Sequence, residues 1–530
     1  MKKQIIILFC LSLFSTLFSA EYWFSEKPSK SMKADRPLKI WTFASGTENW
    51  FVLPGRRGKI EWDKTGHLKL SSTVKHGKAG GNIFSLYVPY RPLPGERFLL
   101  TAFAQGTGDI RIGLAVYSFD KRNKLKYKTI WSTPQRLTGK KQTLQFAPDL
   151  SRFTAVRMGW QFELVSEGSV KFDQINLAQL KDSSLKVSVE PEFAAIRPGE
   201  RYPDLRFSVS PRIDKVQFFP AADPASPAPV DMKPDTGGIV KVSHQSLNRG
   251  KRFVLAANGN TASAAIEVLQ PQEYDKFDTL AKSIRLKKPL RILVIGDSLL
   301  DKNFHSNADS GAVKQFEFWL KKYNPGKVVI RNAAVRGDYI ERVWDRMGVE
   351  LKQFKKRVFQ QQEYDKLFSF PADMVFIQLG HNDTRTSSLQ NYKVPLVPKE
   401  KQEKLYIQTL TAIRKAMPQC KIVLYSSTCS NYELILANHE RAKKRRPQGP
   451  FVLFAKPEFM EDFNAVLSKL APQFDAVYRD IYTPMKKLPQ KEKAFLFDIG
   501  GVHLSDAGQK YLAYQYLKFI AEYPNKQLKE

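Results

Sequence analysis

Cysteine is almost missing from this chain, with three residues in 530. Cys10 lies in an N-terminal apolar stretch, which leaves Cys420 and Cys429 on either side of a predicted strand at 421–425. The largely extended chain between them holds their Cα atoms ~25 to 30 Å apart, whereas a disulfide needs less than about 7 Å. Both are therefore read as free, buried thiols. Neither has a neighbouring base in a motif, which argues against a cysteine nucleophile. Beyond the N-terminus no apolar run reaches the ~20 residues of a membrane-spanning helix, and no nucleic-acid-binding motif occurs. Histidine is sparse as well. Of seven, three lie in β-patterned segments, which leaves His305, His381, His439 and His503 as candidate bases.

What the chain has in excess is positive charge: 84 Lys and Arg against 52 Asp and Glu, a formal net charge of +32. Such a surface favours polyanions such as acidic polysaccharide or anionic lipid. The densest run is Arg441-Ala-Lys-Lys-Arg-Arg446, ahead of Pro447 and Gly449. It reads as a solvated loop, with contact to an anionic glycan or an envelope surface as the alternative. Lys2 and Lys3, the apolar residues 5–18 and the small pair Ser19-Ala20 form a secretory signal peptide over residues 1–20. No small residues precede Cys10, so export without a lipid anchor is expected, to the periplasm or the exterior. An exported protein without a nucleic-acid motif is not expected to bind nucleic acid.

A length of 530 residues allows two to four domains at ~150 residues each. Residues 37–180 show short alternating strands between Gly and Pro turns, for example Gly66-His-Leu-Lys-Leu-Ser71 and Asp109-Ile-Arg-Ile-Gly-Leu-Ala-Val-Tyr117, the pattern of an all-β sandwich. Trp41, Trp50, Trp62, Trp131 and Trp160 fall there, and an exposed aromatic face can stack on a sugar ring. With its closing Val170-Lys-Phe-Asp-Gln-Ile175, this segment resembles jelly-roll carbohydrate-binding modules. Residues 184–270 predict a second, immunoglobulin-like β-sandwich, read as a spacer. A partly helical linker at 273–288 leads into residues 289–525. There strands at 291–295, 327–330, 374–379, 421–425 and 474–478 alternate with amphipathic helices, predicting a three-layer, flavodoxin-like α/β domain with a parallel sheet.

The chemistry is expected at the C-terminal ends of those strands, where open α/β sheets bind ligands. The run Ile292-Leu-Val-Ile295 stops at Gly296-Asp297-Ser298. A serine nucleophile needs a base, a group that orients the base, and donors for the oxyanion. The second strand is followed by Asn332-Ala-Ala-Val-Arg-Gly337, the third by Gly380-His381-Asn382-Asp383. With strand order 2-1-3-4-5, Ser298 and Asn382 face each other across the switch point. His503, in Gly500-Gly-Val-His-Leu-Ser-Asp-Ala-Gly508, stands ahead of a closing helix that Ser505 caps.

These four blocks, in this order, resemble the SGNH/GDSL hydrolases. The resemblance implies Ser298 as nucleophile, His503 as base, and an oxyanion hole made of the Ser298 and Gly337 amides with the Asn382 side chain; no metal or nucleotide is implied. The absence of a Gly-x-Ser-x-Gly elbow argues against the other common serine-esterase fold. One position departs from the family. Its aspartate usually stands three residues before the histidine, where this chain has Gly500. Asp498, five residues before, is the favoured substitute, reached by a turn at Gly500 and Gly501; Asp480, a backbone carbonyl or a dyad are the alternatives. The expected function is a secreted serine esterase that removes O-acyl, chiefly O-acetyl, groups from a polysaccharide. The other readings are a lipid or aryl esterase, and a glycan-binding protein with a decayed hydrolase domain. Loops at 384–400 and 430–456 are expected to wall the crevice.

Overall fold

The computed structural model describes residues 32–523 apart from 42, 44–49, 53–57, 64, 73–81, 89–92, 120–124, 149–156, 221–228, 244–246, 248–251, 302–309, 351–366, 446–450 and 499. The expected signal peptide, Cys10 and His305 lie outside these residues.

In the first compact unit the chain up to Asp182 forms one antiparallel sheet folded over a single core, a β-sandwich. Its axis is a strand of 23 residues, Arg97–Phe119, paired with Gly168–Asp182 on one side and with Gln135–Phe146 and Arg157–Leu164 elsewhere along its length. So long a strand bends midway, where the register slips between Gln105 and Thr107. Gly106 permits this, because a Cβ there would stand 2.0 Å from the Ser169 carbonyl oxygen. Four of the five tryptophans of this segment are core: Trp41, Trp50, Trp131 and Trp160 are buried. Trp62 is the exception at 38% exposed, with its indole N–H donated to the Phe43 carbonyl at 2.7 Å.

Residues 187–270 contribute a three-stranded sheet (Lys186–Glu190, Leu205–Ser210, Ile239–Val242) and a five-stranded one that includes Phe193–Ile196 and Asn260–Val268. They are not a detached spacer. Phe193, Ala195, Ala265 and Leu269 share one buried cluster with Tyr274 and Phe277 of helix α1 (Pro271–Ser283) and with Phe316 and Trp319 of α2 (Ala312–Lys322).

The α/β domain has five parallel strands: β1 (Leu290–Gly296), β2 (Val328–Asn332), β3 (Met374–Gln378), β4 (Lys421–Tyr425) and β5 (Ala476–Arg479). Their order is β2-β1-β3-β4-β5, the order under which Ser298 and Asn382 are expected to face each other. Period-two alternation decides the layers. Ile292 and Val294 face α2 and the C-terminal helix, while Leu293 and Ile295 face α3 (Ile340–Glu350), α4 (Lys399–Ala416) and a helix at Pro457–Leu470. The C-terminal helix, Asp506–Glu522, is capped by Ser505, whose Oγ accepts from the Gly508 amide at 3.3 Å. One expectation is corrected. Residues 430–456 are not a loop, because Tyr432–Arg445 forms a helix that carries Arg441–Arg445 of the basic run on its last turns.

Candidate active site

At the end of β1 the chain turns at once. The Leu300 and Asp301 amides donate to the Asp297 carbonyl at 3.1 and 3.0 Å, and Asp297 Oδ1 accepts the Leu299 amide at 2.9 Å. A Cβ at Gly296 would stand 2.7 Å from the Leu300 side chain and 3.1 Å from the Gln378 carbonyl oxygen, so a larger residue there would crowd the turn. Ser298 is left half-exposed at its apex.

The loop after β2 is tied to this turn. Asn332 Nδ2 donates to the Leu300 carbonyl at 2.7 Å, the Arg336 amide to Asp301 Oδ2 at 2.9 Å, and the Val335 amide to the Gly296 carbonyl at 3.0 Å. Gly337 then adopts a left-handed φ of 76°, a conformation natural to glycine. After β3, Gly380 packs so closely on Ser427 that a Cβ would sit 2.8 Å from it. Asn382 Nδ2 donates to the Asp338 carbonyl at 3.0 Å, which locks the Asn382 amide against the Gly337 loop. Asp383 Oδ1 accepts the Ile340 amide at 2.9 Å at the start of α3.

His503 comes from the far end of the domain. Its Nε2 lies 3.0 Å from Ser298 Oγ, a hydrogen bond spanning 205 residues of sequence. Its Nδ1 lies 3.8 Å from Asp498 Oδ2, too long for a hydrogen bond and an ion pair only when the ring is protonated. Asp498 reaches this place through backbone pairing: its amide donates to the His503 carbonyl at 2.8 Å, and Phe497 bridges Leu504. The Gly500 and Gly501 amides turn back onto Asp498 Oδ1 at 2.8 and 3.1 Å. Burial holds the His503 imidazole below its ordinary pKa, with the Asp498 carboxylate pulling the other way.

The structure thus brings Ser298, His503 and Asp498 together, with Gly337 and Asn382 on adjoining loops. Asp480 serves elsewhere, accepting the Thr483 amide at 2.9 Å. His439 packs edge-on against Tyr392 and Phe451. His381 is buried, with Nε2 3.0 Å from Thr428 Oγ1; burial, then the nearby His503, pushes its pKa down to about 3, so it stays neutral.

Sequence reasoning missed the carboxylates behind the site. Asp297, Asp338 and Asp383 are all buried. Burial first, then mutual repulsion, raises Asp297 to about 7; burial likewise raises Asp383 to about 7. Asp338 rises to about 6 although Arg346 Nη1 stands 2.6 Å from its Oδ2, so desolvation outweighs the pairing. A sequence shows such residues as charges but not their depth.

A half-exposed hydroxyl and a neutral imidazole at 3.0 Å can add a serine oxygen to an acyl carbon. Residues 294–511 match the model of the GDSL-like lipase/acylhydrolase family. A comparison with curated proteins finds no match. Among solved structures, the chain is similar to a lipase/acylhydrolase from Enterococcus faecalis (18% identity over 44% of this chain and 95% of that one, TM-score 0.30). It is also similar to a family two carbohydrate esterase from Cellvibrio japonicus (11% identity, 91% and 98%, TM-score 0.28). The third is the CBM22-1 xylan-binding domain of Paenibacillus barcinonensis Xyn10C (15% identity, 28% and 96%, TM-score 0.22).

Proposed function

We propose, from a C-terminal domain that is an SGNH/GDSL-type carboxylic ester hydrolase, that this protein is a secreted esterase removing O-acetyl groups from a polysaccharide. The observation that carries the chemistry is the 3.0 Å contact between Ser298 Oγ and His503 Nε2. Ser298 Oγ attacks the ester carbonyl carbon while its proton passes to His503 Nε2. The oxyanion that forms is held by the Ser298 and Gly337 amides and by Asn382 Nδ2. Collapse breaks the bond to the sugar oxygen, which takes the proton from His503 and leaves. Water then loses a proton to His503, attacks the acyl-enzyme and releases acetate and free Ser298. Asp498 steadies the imidazole and the charge it acquires.

Three features support the polysaccharide and export parts of the reading: the signal-peptide pattern of residues 1–20, the N-terminal β-sandwich, and a concavity of about 460 Å³ on that sandwich lined by Glu61, Trp62, Lys69, Gln105 and Lys171. The test is acetate release from a panel of acetylated polysaccharides, alongside labelling by a fluorophosphonate. Acetate release and labelling, both lost in Ser298→Ala, are expected. Absence of labelling in folded wild type sinks the enzyme reading, and a preference for long acyl chains replaces the glycan with a lipid.

A further inference from the structure

Beside the oxyanion loops lies a guanidinium without a counter-ion. Arg385 follows Asn382 by three residues and is fixed by its neighbours. Thr384 Oγ1 donates to the Gly380 carbonyl at 2.7 Å, Thr386 Oγ1 to the Val394 carbonyl at 2.7 Å, and the Arg385 carbonyl accepts the Leu396 amide at 2.7 Å. Its guanidinium lies 5.9 Å from the centre of the Tyr339 ring, and Arg342 lies 5.7 Å from the same ring. Tyr339 stands two residues after Gly337, so this cation bridges the two loops that bear Gly337 and Asn382.

Arg342 donates Nη1 to the Gly337 carbonyl at 2.7 Å. Arg385, half-buried, makes no ion pair and no side-chain hydrogen bond among the described residues. None of the acids on the two loops forms an ion pair with it: Asp383 Oδ1 accepts the Ile340 amide, Asp338 holds Arg346, and Glu341 pairs with Lys401 at 2.8 Å. Burial lowers the Arg385 pKa from its ordinary value, with Tyr339 and Asp383 pulling it back and Arg342 adding repulsion, yet a guanidinium keeps its proton. A desolvated charge left without a partner is costly, and its planar fork fits a carboxylate with two parallel hydrogen bonds. The net charge of +32 adds a general attraction for a polyanion.

We propose that Arg385 binds a carboxylate carried by the substrate, so that the esters this site cleaves lie on a uronate-containing, acidic polysaccharide. This rests on the glycan-esterase reading above and names its substrate class.

The experiment compares an acetylated polyuronate with the same polymer after its carboxyl groups are reduced to alcohols. Wild type is expected to lose about tenfold or more in kcat/KM on reduction, mostly through KM. In Arg385→Gln the two polymers are expected to become equivalent, and in Arg385→Lys, which keeps the charge but not the fork, the preference is expected to shrink. Equal wild-type rates on the two polymers overturn the proposal, as does an undiminished preference in Arg385→Gln. A second arm does not depend on polymer deacetylation: inhibition of 4-nitrophenyl acetate hydrolysis by oligogalacturonate, by the neutral galactose oligomer and by a sulfated one. Oligogalacturonate inhibiting wild type at least about tenfold better than both others upholds the carboxylate site, even if neither polymer is deacetylated. Equal inhibition by all three, or strongest inhibition by the sulfated oligomer, overturns it.

Discussion

Asp498 and His503 face each other across a chain reversal, joined by an amide-to-carbonyl hydrogen bond of 2.8 Å while their side chains stand 3.8 Å apart. The backbone pairing brings the carboxylate beside the imidazole. Replacing Asp498 by Ala is expected to lower kcat/KM by about 10² to 10⁴, up to the cost of losing tautomer control in a serine triad. Steady-state hydrolysis of an activated acetyl ester measures it, and a near-wild-type rate removes Asp498 from the mechanism.

The same pair governs the pH profile. The proposed base, His503, can accept a proton only when neutral, and burial keeps its pKa below 6.5. Activity is therefore expected to rise through a limb below pH 6.5 and to be level at neutral pH. Asp498 raises that pKa, so in Asp498→Ala the limb moves to lower pH even as the plateau falls. A limb that stays in place shows that the carboxylate does not act on the ring.

Gly501 makes the turn that carries Asp498. Its φ is +79°, and a Cβ would meet the Asn431 carbonyl oxygen at 2.8 Å. Gly501→Ala is expected to cost about 1–3 kcal/mol, seen as a lower unfolding midpoint with reduced activity. Gly500→Asp, which supplies the aspartate at the family's usual spacing, is expected to bring no gain, since it sets a second carboxylate beside Asp498. A rate increase in Gly500→Asp contradicts this.

Arg346 and Asp338 form a buried pair, 3% and 0% exposed, and Arg346 Nη2 also donates to the Ala333 carbonyl at 2.8 Å. Removing one partner of such a pair costs about 3–5 kcal/mol. Arg346→Met is expected to lose that much in denaturant unfolding, and Arg346→Met with Asp338→Asn less. An additive double variant would show that the two groups are not coupled.

Asp383 has a folded pKa of about 7 against an ordinary 3.8. Between those values the folded chain keeps a proton that the unfolded chain releases, so its contribution to stability is lost as pH rises through the window. Asp383→Asn keeps an oxygen for the Ile340 amide and removes this slope. Relative to wild type, its unfolding midpoint is expected to climb between pH 4 and 7; a constant difference refutes the buried-acid assignment.

Much of the fold was legible because its signals are local. Short apolar runs such as Ile292-Leu-Val-Ile295, which stops at Gly296, mark strands buried on both faces, and from them came the five strands and the loops bearing Ser298, Gly337 and Asn382. The helix at Tyr432–Arg445 was hidden by its charge, although Ile435 and His439, one turn apart, are its buried face. How Asp498 reaches His503 was open in the sequence, because it depends on pairing between Phe497 and Leu504 that no residue spacing specifies. Arg385 passed unnoticed for a similar reason: a surface arginine and a half-buried one without a counter-ion are the same letter.

Phe193 meets Phe318 edge-on at 5.4 Å, and Trp319 stacks on Phe277 at 5.3 Å. A cut at residue 289 would strip both covers from α2 and leave an aromatic face open to water, a surface prone to self-association. Residues 187–523 should consequently melt as one cooperative block and be exchanged between proteins as one cassette, with the second β-sandwich travelling as part of the esterase.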